Sequence, residues 1–212
     1  MGCITSKPEN TGYQYILAYR FPDGEAKDTI MELSKIIGGQ VYNGYKARNE
    51  SPHFTLKYIF VATKKQLKEL VNSLEQFARN NKHASAWLSG VNKFPDTNRV
   101  VFVEQIRSKE ATELVESLTL LLNTFEWMQW DNVDNRVNGP KPHSTVFLDD
   151  KGIPYEKFEK LVKHFGNKNI EFSIDNICIS RHKIGEKFTG YMEEPGLSLD
   201  QDNIWKKFIL CK

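Results

Sequence analysis

The sequence contains no long apolar run and only three cysteines among its 212 residues. No stretch reaches the roughly 18 to 20 apolar residues that a membrane-spanning helix needs, and the N-terminus lacks the apolar segment of a signal peptide. We therefore expect neither a transmembrane helix nor export by the usual secretory route. Cys3, Cys178 and Cys211 are odd in number and far apart, without metal-ligand spacing, so we expect free thiols in a reducing compartment such as the cytoplasm.

The sequence also has little excess of charge of either sign. Lys and Arg number 29 against 27 Asp and Glu, so the formal net charge is +2. This balance argues against a strongly basic protein that coats nucleic acid and against a protein that acts through an acidic tail. Any contact with nucleic acid must therefore involve a local group of residues. The hydrophobic fraction of 40% is typical of a globular chain with one large domain or two small lobes.

The order of predicted elements repeats once along the chain. Each half reads strand, helix, strand, helix, strand, which predicts an α+β fold that is bilobal and duplicated, with two antiparallel-type sheets and outer helices around a central cleft. We expect a flexible N-terminal segment over residues 1–12 and a single bilobal domain over residues 13–212. Its lobes are expected at roughly 13–92 and 99–185, followed by a C-terminal extension. The predicted strands are 13–19, 53–61, 84–91, 99–104, 142–148 and 171–180, with a further short strand at 187–191.

A five-residue phrase occurs twice, once in each half. The two copies are Pro52-His53-Phe54-Thr55-Leu56 and Pro142-His143-Ser144-Thr145-Val146. Both lie in predicted strands, where side chains alternate between the two faces. Each copy therefore presents a histidine beside a threonine on one face of its strand.

Two histidines that face one cleft suit a reaction in which one proton is removed and another supplied. Imidazole titrates at about pH 6.5 and can hold either protonation state at neutral pH. In phosphodiester hydrolysis, one histidine can take the proton of the attacking water while the other protonates the departing sugar oxygen. The threonine hydroxyls can donate hydrogen bonds to the non-bridging oxygens. The alternative is a pair of structural histidines satisfied by neighbouring backbone groups.

The duplicated phrase resembles the two-histidine phosphoesterase superfamily, and its layout looks like the 2'-5' RNA ligase-like and cyclic phosphodiesterase branch. The resemblance covers roughly residues 13–191. It implies a bilobal α+β fold and a catalytic set of His53, Thr55, His143 and Thr145. It also implies metal-independent and cofactor-independent hydrolysis of 2',3'-cyclic phosphates, 2'-5' linkages or related cyclic nucleotides. Ser144 departs from the family pattern, in which an apolar residue is commoner, and we expect this to affect local packing more than chemistry.

Four further residues are candidates for substrate binding. Trp127 and Trp130 lie in a polar loop and could stack on a base, although a tryptophan pair after an amphipathic helix also suits core packing. Arg181 follows the last strand of the second half and could reach a phosphate, although a solvated surface position is the alternative. Tyr191 has the same two interpretations as the tryptophans, stacking on a base or packing in the core. The expected partners are RNA ends, oligonucleotides or cyclic nucleotides, bound by a monomer.

The N-terminus carries a separate signal for lipid attachment. Gly2 and Ser6 fit the N-myristoylation pattern, and Cys3 offers a site for S-acylation. One myristoyl chain binds membranes marginally and a second chain makes the attachment stable. The pattern predicts a membrane-associated protein only in a host that carries out this modification.

The leading hypothesis is thus a phosphodiesterase that uses paired histidines for acid and base catalysis. Two rival functions remain, a non-catalytic module of the same fold that binds nucleotide or RNA and a membrane-tethered scaffold. The sequence leaves open which histidine is the acid, which linkage is cleaved and which phosphate the product carries.

Overall fold

The computed structural model describes residues 13–37, 52–94, 99–130, 142–148, 152–183 and 205–212. Eight strands and four helices are present in these ranges. In chain order they are β1 Tyr13–Arg20, α1 Glu25–Ile36, β2 His53–Val61, α2 Lys64–Asn80, β3 Ala84–Lys93, β4 Val100–Arg107, α3 Lys109–Asn123, β5 His143–Leu148, α4 Tyr155–Phe165, β6 Ile170–Ile174, β7 Asn176–Lys183 and β8 Trp205–Ile209. The predicted strand at 187–191 lies outside the described residues. None of the described helices combines the length and the apolar character needed to cross a bilayer.

The strands form two four-stranded sheets in which every pair of neighbours is antiparallel. The first sheet has the order β2-β1-β7-β8 and the second has the order β5-β4-β3-β6. This confirms the predicted α+β fold with two antiparallel sheets. Each sheet takes strands from both halves of the sequence, because β3 joins the second sheet and β7 joins the first. The predicted lobes, 13–92 and 99–185, are continuous in sequence, whereas each sheet combines strands from both of these ranges.

Local sequence signals explain where the helices begin and end. Thr63 accepts a hydrogen bond from the backbone N–H of Gln66, and the Gln66 side chain accepts one from the Thr63 backbone, which completes a capping box at the start of α2. The Ser108 hydroxyl accepts in the same way from the backbone N–H of Ala111 at the start of α3. Gly166 ends α4 with a φ of 60°, a conformation that glycine adopts without steric cost.

The predicted strand at 171–180 is wrong as a single element. It is divided at Asp175 into β6 and β7, which join different sheets. The side chain of Asn176 binds β1 at this point. Its Oδ1 accepts a hydrogen bond from the Arg20 backbone N–H at 3.1 Å, and its amide donates one to the Arg20 carbonyl at 2.8 Å. The alternation of apolar residues changes phase here, from Ile170, Phe172 and Ile174 to Ile177 and Ile179, with the polar pair Asp175-Asn176 between them. The sequence therefore shows an interruption, but it does not show that the two parts join different sheets.

One contiguous hydrophobic core joins the two sheets and the helices. Tyr19 of β1 packs against Phe54 of β2 and Phe172 of β6, with ring centroids 4.9 and 5.7 Å away. The Tyr19 hydroxyl donates a hydrogen bond to the Ser173 carbonyl at 2.7 Å, which adds a polar link between the sheets. The apolar segment at 204–210, for which the sequence predicts no element, contains β8, and its Phe208 and Leu210 are buried in this core. The core therefore fixes the relative placement of the strands that carry the repeated phrase.

Candidate active site

Both copies of the repeated phrase occupy the same place in their sheets. His53 is the first residue of β2 and His143 is the first residue of β5, and each is preceded by a proline. Proline has no N–H to donate to a ladder, so the start of a strand is a favourable place for it. Both strands lie at the edge of their sheets. Among the described strands, none pairs with the outer side of either motif strand within its own sheet.

The strand register shows which residues accompany each histidine. His53 lies opposite Arg20 of β1, and Thr55 lies opposite Ala18. Residues directly opposite each other in an antiparallel pair share a face. The face of each sheet that carries the histidine and threonine is called the motif face below. Phe54 and Leu56 alternate with them and are buried in the core on the other face.

The equivalent register in the second sheet places other residue types beside His143. His143 lies opposite Glu104 of β4, and Thr145 lies opposite Phe102. Asn92 of β3 donates a hydrogen bond from its amide to Glu104 Oε1 at 3.2 Å. The motif face thus carries an arginine opposite the first histidine and a glutamate opposite the second.

A hydrogen bond links the two copies directly. The hydroxyl of Ser144 donates to the backbone carbonyl of His53. Ser144 is 1% exposed, so this bond is formed out of contact with water. β2 and β5 are in contact although they belong to different sheets. The two phrases, about 90 residues apart in the sequence, therefore lie side by side in the fold.

The surroundings of His53 combine burial with positive charge. His53 is only 7% exposed. On the same face, Ile16, Ala18 and Cys178 form a small apolar cluster. Burial raises the pKa of Cys178 to about 12, while the positive charges of Arg20 and Lys207 act in the opposite direction. The guanidinium of Arg20 is therefore close enough to influence this part of the motif face electrostatically.

The ring of His143 packs against a pair of phenylalanine rings and is partly exposed. Phe94 and Phe102 each have their ring centroid 5.2 Å from the His143 ring, at interplanar angles of 84° and 66°. Edge-to-face packing of this kind restricts the rotation of a ring. His143 therefore contacts apolar rings on one side and remains partly accessible to solvent.

The two threonines of the repeated phrase are partly exposed. Thr55 lies two residues after His53, and Thr145 lies two residues after His143, so each shares the motif face with its histidine. A hydroxyl at such a position can donate a hydrogen bond to an anionic oxygen. Each half of the site therefore pairs an imidazole with a hydroxyl donor.

The predicted stacking residues Trp127 and Trp130 pack against the core. The ring of Trp127 lies 5.5 Å from that of Phe125 and 6.3 Å from that of Phe60. The ammonium of Lys57, whose side chain is fully buried, lies 4.9 Å from the Trp130 ring centroid. These contacts favour the packing alternative over base stacking for both indoles.

The other predicted binding residues are placed only in part. Position 181 lies opposite Tyr15, whose ring stacks on Phe60 in the core, and position 182 lies opposite Gln14. Tyr191 and the proposed lipid-attachment residues Gly2 and Cys3 lie outside the described residues. In the described ranges, no group of three or more His, Cys, Asp and Glu side chains is placed to hold a metal ion.

Arg20 and Glu104 are the site residues that the sequence does not reveal. Each lies in a strand that is remote in sequence from its histidine, and neither belongs to a repeated phrase. Only the register of β1 with β2 and of β4 with β5 brings them beside the histidines.

Comparison with known proteins gives one family match and several structural matches. The model of the 2'-5' RNA ligase superfamily matches residues 22–186. No curated protein matches the sequence. The solved structure of TT0787 from Thermus thermophilus has a TM-score of 0.59 and 16% identity, over 93% of this chain and 97% of that one. E. coli LigT complexed with 3'-AMP has a TM-score of 0.54 and 12% identity, over 96% of this chain and 100% of that one. At these identities, the structural matches establish the fold alone.

Proposed function

The chain belongs to the 2'-5' RNA ligase superfamily, the two-histidine phosphoesterases, and from this premise we propose that it is a phosphodiesterase that hydrolyses 2',3'-cyclic phosphate or 2'-5' linkages of RNA or oligonucleotides. His53, Thr55, His143 and Thr145 are its proposed catalytic residues. The observation that carries the proposal is the contact between the two motif strands, including the hydrogen bond from Ser144 to the His53 carbonyl. That contact supports action of both histidines on one phosphate.

The proposed reaction needs two proton transfers at one phosphorus atom. One imidazole accepts a proton from water as the water oxygen forms a bond to phosphorus. The bond from phosphorus to the 2' or 3' oxygen breaks, and the second, protonated imidazole donates a proton to that departing oxygen. The threonine hydroxyls donate hydrogen bonds to the non-bridging oxygens, where negative charge grows. These groups supply the chemistry of hydrolysis, so the proposal includes no metal ion and no cofactor.

The proposed substrates are nucleotides and the ends of RNA chains. E. coli LigT has been solved in complex with 3'-AMP. The arginine opposite His53 supports an anionic ligand on the motif face. We propose that the protein acts as a monomer, since the described part of one chain contains both motif strands.

An assay in the presence of EDTA tests the proposal. The substrates are 2',3'-cyclic nucleotides, RNA with a cyclic phosphate end and 2'-5' oligoadenylate, and the readout is the position of the product phosphate. His53→Ala and His143→Ala should each lower the rate by about 10² or more, because each removes one proton-transfer group. His164→Ala is a matched control, since His164 lies on α4 and pairs with Glu32 at 3.0 Å, away from the repeated phrases.

The same assay distinguishes catalysis from simple binding. Full activity in both single histidine variants would show that the assignment is wrong. Nucleotide binding by the wild-type protein without product formation over hours would instead favour the non-catalytic module. The position of the phosphate in the product then decides which linkage the enzyme opens.

The proposal of membrane attachment through Gly2 and Cys3 requires a separate test. In a eukaryotic cell that expresses the chain, Gly2→Ala should move the protein from the membrane fraction to the soluble fraction, since myristoylation requires that glycine. Hydrolysis by the purified variant should be unchanged. Equal membrane fractions for the two proteins would contradict the attachment.

A further inference from the structure

Ser144 occupies an unusual position between the two phrases. It follows His143 in β5, and the alternation of side chains along a strand directs it away from the motif face. Its hydroxyl donates to the carbonyl of His53, a residue of the other sheet. The bond is buried, because Ser144 is 1% exposed and His53 is 7% exposed. A single side chain thus joins the backbone of one histidine to the strand of the other.

The placement of β2 and β5 explains why this bond matters. They are edge strands of different sheets, and no backbone ladder joins them in the described ranges. Removal of the donor from a hydrogen-bonded, buried carbonyl is destabilising. Ser144 supplies the donor that a neighbouring strand would otherwise provide. An apolar residue at this position could not form the bond.

We propose that Ser144 is a positioning residue that sets the separation of His53 and His143. This inference rests on the proposed function of the two histidines. Proton transfer to and from one phosphate requires both imidazoles at hydrogen-bond distance from their oxygens, and a displacement of about 1 Å can lower a rate by about 10². Because the bond is made by the backbone of His53 itself, its loss shifts the start of β2 relative to β5.

A second buried serine, which bonds to β5 from a helix, gives a matched control. The hydroxyl of Ser34 on α1 donates to the carbonyl of Val146 in β5 at 3.1 Å. Ser34 is 6% exposed, so its bond is also shielded from water. Loss of this bond removes one buried hydrogen bond to a carbonyl, as loss of the Ser144 bond does, but it involves neither His53 nor β2. The two serines therefore separate a general loss of stability from a loss of alignment.

The decisive comparison is between Ser144→Val and Ser144→Thr in the full chain. Valine and threonine have nearly the same shape, so the added volume is shared and only the hydroxyl differs. In the hydrolysis assay, we expect kcat of Ser144→Val to be at least about tenfold below that of Ser144→Thr, with KM values within about twofold, because ground-state binding is retained while alignment is lost. Ser34→Ala should retain the wild-type kcat and lower only the thermal unfolding temperature.

Equal kcat values for Ser144→Val and Ser144→Thr would overturn the inference. So would an equal fall of kcat in Ser144→Ala and Ser34→Ala, a comparison that adds no volume and serves if the larger residues prevent folding. His143→Ala measured beside them keeps the two proposals distinct. If His143→Ala is inactive while Ser144→Val equals Ser144→Thr, only the role of Ser144 is wrong. If His143→Ala is fully active, the proposed function itself is wrong.

Discussion

The ring of Phe102 lies edge-on to the imidazole of His143, with the two ring centroids 5.2 Å apart. Phe102 is fully buried and also contacts Phe94, whose centroid is 4.6 Å away. The register places Phe102 opposite Thr145, so the ring belongs to the motif face and not to the main core. A pair of phenylalanine rings thus restricts the orientation of the His143 ring.

Phe102→Leu should lower kcat for phosphodiester hydrolysis by about tenfold, because a small misorientation of a proton-transfer group is costly. KM should change by less than about twofold if substrate binding is retained. Phe77→Leu provides the control, since Phe77 is a buried residue of α2 and contributes to the main core. A similar fall of kcat in both variants would show that the effect reflects stability and not the orientation of His143.

Arg20→Gln should raise KM for anionic substrates by about tenfold or more, the size expected for loss of one charge-assisted hydrogen bond. The backbone of Arg20 retains its two bonds to Asn176 in this variant, so the strand is held in place. Arg20→Lys preserves the charge and should show a smaller rise. Steady-state kinetics at several salt concentrations provide the measurement. An unchanged KM in Arg20→Gln would show that substrate does not reach this arginine.

Trp130→Leu should lower the free energy of unfolding by about 2 kcal/mol, because it removes a large ring packed on the core and on the buried Lys57 ammonium. Urea denaturation measures this loss. KM should stay within about twofold of the wild-type value. The opposite result, an elevated KM with unchanged stability, would identify Trp130 as the base-stacking residue that its loop position suggests.

Glu75→Gln should make the free energy of unfolding depend less on pH in the acid range. The hydrogen bond and positive charge of Lys206 hold the pKa of Glu75 below its usual range, and the two charged atoms are 2.7 Å apart. A carboxyl with a lowered folded pKa stabilises the protein above its unfolded pKa of about 4.3, and this stabilisation is lost as the pH falls through the folded value. Both side chains are partly exposed, so the difference at pH 7 should be below about 1 kcal/mol.

Urea denaturation of the wild-type protein and Glu75→Gln between pH 3 and pH 7 tests this prediction. The two unfolding free energies should converge at the acid end of the range, since protonated glutamate and glutamine are both neutral. A constant difference across the range would contradict a role for the charge of Glu75 in attaching α2 to β8.

Helices were the most predictable elements of this chain. The capping box at Thr63 and Gln66 specifies the start of α2 within a few residues, and both of its hydrogen bonds are present. Leu67, Leu70 and Leu74 recur at helical spacing, which predicts one buried face of the helix, and all three are buried. Hydrogen bonds of a helix join residues close in sequence, so local patterns contain the information needed.

Strand partners were far less predictable. The local pattern shows an interruption at Asp175-Asn176, but it does not indicate that the two parts of 171–180 join different sheets, or that β3 joins the sheet of the second half. The pairing of β1 with β7 joins residues more than 150 positions apart, such as Ala18 and Cys178. Such pairing depends on packing across the whole chain, and a period of two in the sequence specifies a face but no partner.

The sequence alone determined the repeated phrase, the alternation that places each histidine beside a threonine, and the family to which the chain belongs. These properties depend on residue type and on spacing along the sequence, so no tertiary contact is needed to specify them. Tertiary structure decided that the two phrases meet, that Ser144 joins them, and that Arg20 and Glu104 lie opposite the histidines. The physical reason is that edge-strand contacts and sheet register arise from burial of a shared core, which brings together residues that the sequence keeps far apart.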